Sequence, residues 1–426
     1  MRPQPIPLPN DMTLLHLPHS HYRTDRLTGV FAVPLRADTA AGYALLPGLL
    51  TRGCRRYPTL QTFNRRLDHL YGASLRGHIA QLGEWQRLYF SISFLNRRYT
   101  PDGCDLTAEC TELLLDALLD PLSEEGVFPA DAFAQEQRCL VEQIQSELNN
   151  KRLYAIRRCT ELLCPDHPFS LNPHGTVETV QAQTPATVAA ARERLLREAR
   201  IHWLYQNGDT PAAVTDTIGR RFAALPQRQT VRLATDTSFK LKESRRTDRM
   251  EVNQAKLVLG FRIAITEPNE QVAAAQLMNE LLGGCPSSLL FTHVREEQSL
   301  CYYCVSSYNR HSGILLVDSG VQPEDAPRTE QEILKQLTAI REGAFSDEEL
   351  DAARRSLMQW YASCADTPAA LEWHYVAQTV YDDYPTPEEM GSRLADVTRE
   401  DVRRAAQLTH FDSVYLLLPD GEVTAQ

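Results

Sequence analysis

Three absences limit what this chain can be. It has no apolar run of about 18 residues, the length that a transmembrane helix needs. Its first twelve residues include several prolines but no apolar stretch of the secretory type, so we expect neither a signal peptide nor a membrane anchor, and a cytoplasmic location. Basic residues are outnumbered 44 to 55 by acidic ones, giving a net charge of −11. This balance disfavours nucleic acid or an anionic membrane surface as the main partner.

Common catalytic motifs are also missing. The sequence contains no glycine-rich phosphate loop, no G-x-S-x-G elbow and no Cys/His pair in a recognisable context. Its ten cysteines are spread through helical and strand-like segments, which is typical of reduced thiols and not of a disulfide framework. Cys301 and Cys304 form a C-x-x-C pair in a strand-like run, where regular alternation predicts that they face opposite sides. We therefore expect no redox or metal role for this pair.

Length and internal similarity predict two related domains. A chain of 426 residues exceeds one ordinary core. Residues 114–142 parallel residues 333–359, with GVFPAD matching GAFSDE, and the repeat period of roughly 220 residues indicates duplicated domains and not a solenoid. Residues 226–249 are polar and lack periodicity, as a linker does. We predict an α+β fold of two tandem homologous domains, residues 1–225 and 250–426, each a largely antiparallel sheet packed with helices.

One short helix is of special interest. Residues 28–35 are strand-like, and residues 42–53 carry leucines at helical spacing, with Gly53 placed to close the helix as a left-handed cap. We expect the helix to start late or to bend near Pro47, because proline in a helix interior costs about 3 kcal/mol. A long helix is expected over residues 131–151, and the strands 74–81 and 86–94 should form a hairpin.

Several of these segments together resemble the pitrilysin/insulinase family of inverted zinc metallopeptidases. The motif His167-Pro-Phe followed by Gly175-Thr-Val-Glu resembles one signature of that family, and the run from Leu281 to Tyr302 resembles a second, longer one. The order of strand, helix, glycine and aromatic-basic segment around residues 28–57 resembles the start of these enzymes. The resemblance covers nearly the whole chain and implies a metallopeptidase-like α/β roll in each half.

The zinc motif of the family is lost in this sequence. In the family, one helix carries H-x-x-E-H, in which two histidines bind zinc and the glutamate is the general base. The resemblance puts these positions at Ala44, Pro47 and Gly48, and the third ligand at Gln143, with Glu142 beside it. None of the first three side chains can donate to a metal, and one carboxylate at Glu142 would not make a site. We therefore expect no metal and no catalytic residue here; His16, His19 and His21 are interpreted as solvated or strand-edge histidines.

A second pair of family positions is retained. The resemblance implies that an arginine and a tyrosine seven residues apart, here Arg295 and Tyr302, hold the substrate backbone and the developing oxyanion across the chamber from zinc. Arginine and tyrosine donors suit that chemistry. The alternative is structural: Arg295 would complement a helix dipole and Tyr302 would belong to the core.

The loss of one site and the retention of the other lead to a functional hypothesis. In two-subunit members of the family, such as the mitochondrial processing peptidase, an inactive chain shares its chamber with an active one. We predict a subunit that is inactive alone and binds an extended peptide together with a zinc-bearing paralogue. A homodimeric peptide-binding or scaffold protein is the alternative. A narrower resemblance is to paired bacterial proteins associated with aminopentanol modification of elongation factor P.

Overall fold

The computed structural model describes residues 2–19, 21–208, 210–231 and 243–420. The strands are β1 (Pro5–Leu8), β2 (Met12–Pro18), β3 (Thr24–Pro34), β4 (Ser74–Leu82), β5 (Trp85–Leu95), β6 (Arg200–Asn207), β7 (Ser244–Met250), β8 (Ala255–Ile263), β9 (Cys301–Asn309), β10 (Ile314–Val321) and β11 (Thr409–Pro419).

The α-helices are α1 (Ala40–Leu50), α2 (Leu60–His69), α3 (Thr107–Leu119), α4 (Ala130–Glu147), α5 (Lys151–Leu163), α6 (Val177–Gln181), α7 (Pro185–Glu198), α8 (Ala212–Ala223), α9 (Val272–Asn279), α10 (Ala326–Glu342), α11 (Asp347–Ser363), α12 (Pro368–Val376), α13 (Pro387–Ala395) and α14 (Arg399–Gln407). Two π-helical segments, Glu280–Gly284 and Leu290–Glu297, follow α9. Among the described residues, no helix combines the length and apolarity that a membrane span requires.

The two sheets repeat one topology. The first has the order β1-β2-β6-β3-β5-β4 and the second β7-β11-β8-β10-β9. In each sheet one pair is parallel, β2 with β6 and β7 with β11, and the other pairs are antiparallel. With β1 set aside as an extra edge strand, the two orders match strand for strand. The predicted α+β fold with two related, largely antiparallel sheets is confirmed.

Two compact units are present, and neither is one continuous stretch of sequence. Unit 1 comprises residues 1–145, 171–234 and 366–384, and unit 2 comprises residues 146–170, 235–365 and 385–426. Thus α5 belongs to unit 2 although it follows α4, and α12 belongs to unit 1 although it follows α11. The predicted linker 226–249 lies partly outside the described residues, and its last part forms β7.

Each sheet buries both of its faces. In unit 1 the main core lies between the sheet and helices that include α1, α3, α7 and α8. On the opposite face, Tyr375 and Val376 of α12 pack with Val30, Tyr89 and Leu204. Unit 2 follows the same plan, with a main core on one face and α5 on the other, where Ala155 and Cys159 contact Val258, Tyr415 and Leu417.

Two local predictions were wrong. The helix α1 begins at Ala40 and runs through Pro47, which excludes the late start but not the alternative of a bend. It ends at Leu50 with Thr51 as its C-cap, and not in a left-handed Gly53. Gly53 is required for another reason: a Cβ there would lie 2.8 Å from the carbonyl oxygen of Tyr57. The helix expected over residues 131–151 ends at Glu147, and α5 starts separately at Lys151 with Asn150 as its N-cap.

Candidate functional site

Tight packing fixes α1, the helix at the degenerate zinc positions. It lies against α7, β4 and β5. Pro47 sits directly on Gly77 of β4, where a Cβ would come within 3.0 Å of the Cα, Cβ and oxygen atoms of the proline. Ala44 and Pro47 are buried. The position that the resemblance assigns to the general base therefore holds a packed proline ring with no functional group.

An ion pair fills the neighbouring position. A Cβ built on Gly48 would lie 2.1 Å from Oε2 of Glu136, so the carboxylate of Glu136 occupies the space that a side chain at position 48 would need. The other oxygen of Glu136 accepts a hydrogen bond of 2.5 Å from Arg52 Nη1, and Arg52 Nη2 donates to Gln135 at 2.7 Å. The charge of the carboxylate is thus balanced by a guanidinium.

Gln143, which the resemblance assigns to the third zinc ligand, contacts a histidine. Its amide nitrogen lies 3.0 Å from Nε2 of His174, and both Gln143 and its neighbour Glu142 are exposed on α4. A neutral amide is a weak zinc ligand, and Ala44, Pro47 and Gly48 supply no donor atoms. Within the described ranges, no group of three or more His, Cys, Asp or Glu residues could hold a metal ion. The residues at these positions do not fit zinc.

The motif around Gly175 has a structural role beside α1. Gly175 has φ = +79°, and a Cβ there would lie 2.9 Å from Cβ of Ala41. The next residue, Thr176, caps α6 through a reciprocal capping box with Thr179. Close approach to α1 thus requires glycine, and the following threonine starts the helix.

The N-terminal histidines differ in environment. His19 is buried against the ring of Tyr22 at 4.5 Å, whereas His21 is exposed. Burial lowers the pKa of His19, and the neighbouring charge of His21 lowers it further. The interpretation as solvated or strand-edge histidines is therefore wrong for His19. The local pattern of polar residues did not reveal that His19 is buried.

Arg295 and Tyr302 both lie on unit 2 with exposed side chains. Arg295 is in the last turn of the π-helical segment Leu290–Glu297, and its guanidinium carbon stacks 4.6 Å from the centre of the Phe291 ring. Tyr302 on β9 is 61% exposed, and its hydroxyl accepts a hydrogen bond of 2.8 Å from Gln322. The structural alternative put Tyr302 in the core, and this exposure argues against it.

A register shift sets the orientation of Tyr302. Gly320 of β10 pairs with Tyr303, but the next residue, Val321, pairs with Cys301. Tyr302 is the extra residue of a β-bulge, and β-bulges change the direction in which nearby side chains point. The sequence run that carries Arg295 and Tyr302 was recognised correctly, but neither the bulge nor the π-helical turn could be read from its periodicity.

The ion pair between Arg52 and Glu136 was not predicted from the sequence. Arg52 precedes Gly53, and Glu136 lies on the predicted long helix, so only their opposite charges could have indicated a contact. Their contact spans 84 residues and depends on the packing of α1 against its surroundings.

Comparisons with known proteins agree with this geometry. Residues 188–357 match the family described as "Peptidase M16 inactive domain". The chain is 27% identical over 398 residues to a "Probable inactive metalloprotease" of Bacillus subtilis, covering 93% of each chain.

Two solved structures show the same fold. A conserved protein from Enterococcus faecalis superposes with a TM-score of 0.88 at 24% identity, covering 99% of this chain and all of that one. A peptidase M16 inactive domain from Pseudomonas fluorescens superposes with a TM-score of 0.80 at 16% identity, covering 99% of both chains. The resemblance inferred from the sequence is confirmed: this chain is similar to the inactive domain of M16 peptidases over residues 188–357 and to a probable inactive metalloprotease over nearly its whole length.

Proposed function

We propose that this chain is the non-catalytic subunit of a two-chain peptidase. Unit 2 would present Arg295 and Tyr302 to an extended peptide, and a zinc-bearing paralogue would supply the metal and the general base. The observation that carries the proposal is the contrast between the two sites. Glu136 and Arg52 fill the position of the lost zinc site, whereas Arg295 and Tyr302 remain exposed.

The chemistry of the exposed pair suits peptide binding. A guanidinium offers several N–H donors in a fixed geometry, and a phenol offers one O–H donor, so together they can satisfy peptide carbonyl groups. Stacking on Phe291 restricts Arg295, and the bulge fixes the direction of Tyr302. Preorganised donors stabilise a developing oxyanion more effectively than mobile ones, because less reorganisation energy is needed during the reaction.

The test is reconstitution with a paralogue that carries H-x-x-E-H and is encoded in the same genome. We expect the isolated chain to bind no stoichiometric zinc and to cleave no peptide, and the mixture to cleave in a chelator-sensitive way. Arg295→Ala and Tyr302→Phe should each reduce kcat/KM of the mixture by about ten- to a thousandfold, the range for losing a donor to substrate or oxyanion. Peptide cleavage rates and metal analysis of each chain provide the measurements.

Two substitutions serve as controls. Arg355→Ala removes an exposed arginine from α11 of the same unit, and Tyr99→Phe removes a hydroxyl from an exposed tyrosine of unit 1. Both should leave cleavage unchanged. Chelator-sensitive cleavage by the isolated chain would overturn the proposal. Full activity of a mixture containing the Arg295/Tyr302 double variant would also overturn it. A stable homodimer that does not bind the paralogue would favour the scaffold alternative.

A further inference from the structure

The bulge in β9 brings Cys301 and Cys304 to the same face of the sheet. Val321 and Ser319 are two residues apart on β10, so they share a face, and they pair with Cys301 and Cys304 respectively. Both cysteines belong to the main core of unit 2 and are 8% and 2% exposed. The prediction that the two sulfurs face opposite sides was wrong, because regular alternation does not hold across an extra residue.

The two thiols also contact each other and differ in their surroundings. A hydrogen bond from Cys304 lowers the pKa of Cys301, and the Ser319 hydroxyl and the Arg295 charge act in the same direction. The pKa of Cys304 is raised well above its usual range by this contact and by burial. The pair therefore has an outer thiol that ionises more readily and an inner thiol that keeps its proton.

We propose that Cys301 and Cys304 form an oxidisable dithiol that closes to a disulfide in the folded protein. The oxidant class is a small-molecule disulfide. The Cys301 thiolate attacks one sulfur of that molecule, forms a mixed disulfide and releases the first thiol. Cys304 then loses its proton and attacks Cys301, releasing the second thiol. Two protein thiols are oxidised and one external disulfide is reduced, so electrons and protons balance.

Two other buried cysteines, Cys110 and Cys164, are poorer candidates for this chemistry. Burial raises the pKa of the Cys110 thiol to about 12 and that of Cys164 to about 11. Since the thiolate is the attacking species, these groups react slowly at neutral pH. Cys104 and Cys139 are exposed, so their reaction shows whether the oxidant modifies accessible thiols.

A disulfide at this point would tighten the bulge whose extra residue is Tyr302. Tyr302 lies between two paired residues, since Tyr303 pairs with Gly320 and Cys301 pairs with Val321. A new bond between positions 301 and 304 therefore constrains the backbone of Tyr302 from both sides. Oxidation should therefore change the exposure of the Tyr302 ring. This inference concerns a modification site and does not depend on a partner chain.

The experiment is thiol mapping on the full chain. Native protein is incubated with oxidised glutathione, quenched in acid, alkylated under denaturing conditions and digested with trypsin. Cys301 and Cys304 fall in one tryptic peptide, residues 296–310. We expect this peptide to lose both alkylation sites and to appear about 2 Da lighter than its reduced form, the loss of two hydrogens that disulfide closure requires. Reduction before alkylation should restore both sites.

Two variants test the assigned order of attack. Cys304→Ser should accumulate a glutathione adduct on Cys301, whereas Cys301→Ser should leave Cys304 unmodified. Glutathionylation of Cys104 and Cys139 in the same samples confirms that the oxidant is active. If residues 296–310 remain fully alkylated while those exposed thiols react, or if the bond forms only in denaturant, the proposal is overturned. Wild-type mapping alone decides this even if a variant fails to fold.

Discussion

Glycine residues on α1 and β4 show how closely the first unit is packed around Pro47 and Glu136. Gly77 admits Pro47 at van der Waals contact, and Gly48 leaves room for the carboxylate of Glu136. The two contacts differ in rigidity, because Pro47 presents backbone atoms whereas Glu136 presents the end of a flexible side chain. The structural demand for glycine is therefore stronger at Gly77.

Substitution of Gly77 by alanine tests this difference. The added Cβ would lie 3.0 Å from three atoms of Pro47, and we expect a loss of about 1–3 kcal/mol from overpacking. The matched control is Gly391→Ala in α13, where no atom lies within 4 Å of the added carbon. That variant should gain about 0.5–1 kcal/mol, because alanine is the better helix former. Unfolding midpoints in urea measure both, and equal midpoints for the two variants would contradict this account.

Some residue-scale features could be predicted and others could not. Ala44, Pro47 and Gly48 carry no metal-donor atoms, which the letters of the sequence show directly. The arrangement of Cys301 and Cys304 was predicted wrongly, since one extra residue in a strand inverts every assignment of faces beyond it. The burial of His19 likewise depends on tertiary packing that no local pattern encodes.

The helix α5, like α12, belongs to a different unit from the elements that flank it in the sequence. It follows α4 directly, but its buried residues contact β8 and β11 in unit 2. Leu163 at its end is 1% exposed and lies against Gly260, where a Cβ would come within 3.2 Å of Leu163 Cδ1. This helix completes the second face of the second sheet.

Truncating Leu163 should loosen that face selectively. We expect Leu163→Ala to cost about 2–5 kcal/mol, the range for a buried leucine, and to raise amide hydrogen exchange in β8 and β11. Leu153→Ala is the control, because Leu153 lies on the same helix with 54% of its surface exposed. The control should change stability by less than about 0.5 kcal/mol. Faster exchange in β3 and β5 alone would show that α5 does not support the second sheet.

The relatedness of the two sheets could be predicted at this scale, although their strand order was not. The duplication seen in GVFPAD and GAFSDE implied two related sheets, and the sheets do share one order. The long helix of residues 131–151 was predicted without its break, because Leu148, Asn149 and Asn150 interrupt the helical pattern only weakly. The π-helical turns near Gly283 and Arg295 leave no distinct signal in composition.

For the whole molecule, unit boundaries and sequence boundaries do not coincide. A fragment of residues 1–231 lacks α12, which unit 1 uses, and a fragment of residues 243–426 lacks α5, which unit 2 uses. Each fragment therefore leaves part of one sheet face uncovered, and uncovered apolar surface promotes aggregation.

Expression of these fragments tests the division. We expect residues 1–231 and 243–426 to bind a hydrophobic dye and to unfold without cooperativity when expressed singly, and to recover cooperative unfolding when expressed together. The matched control joins residues 146–170 directly to residues 243–426, so it regains α5 without the unit 1 residues 171–231, and it should show less dye binding than residues 243–426 alone. Two single fragments that are each monomeric and cooperative would refute this expectation.

The placement of α12 also orders events during synthesis. Domains commonly fold as they leave the ribosome, the N-terminal one first. Here Tyr375, Val376 and Tyr384 complete the packing against Leu15, Leu17 and Leu204, which lie on strands synthesised much earlier. The first sheet must therefore wait, with one face incompletely covered, until nearly the whole chain has been translated. Nascent chains of this protein should depend on chaperones more than the size of either unit suggests.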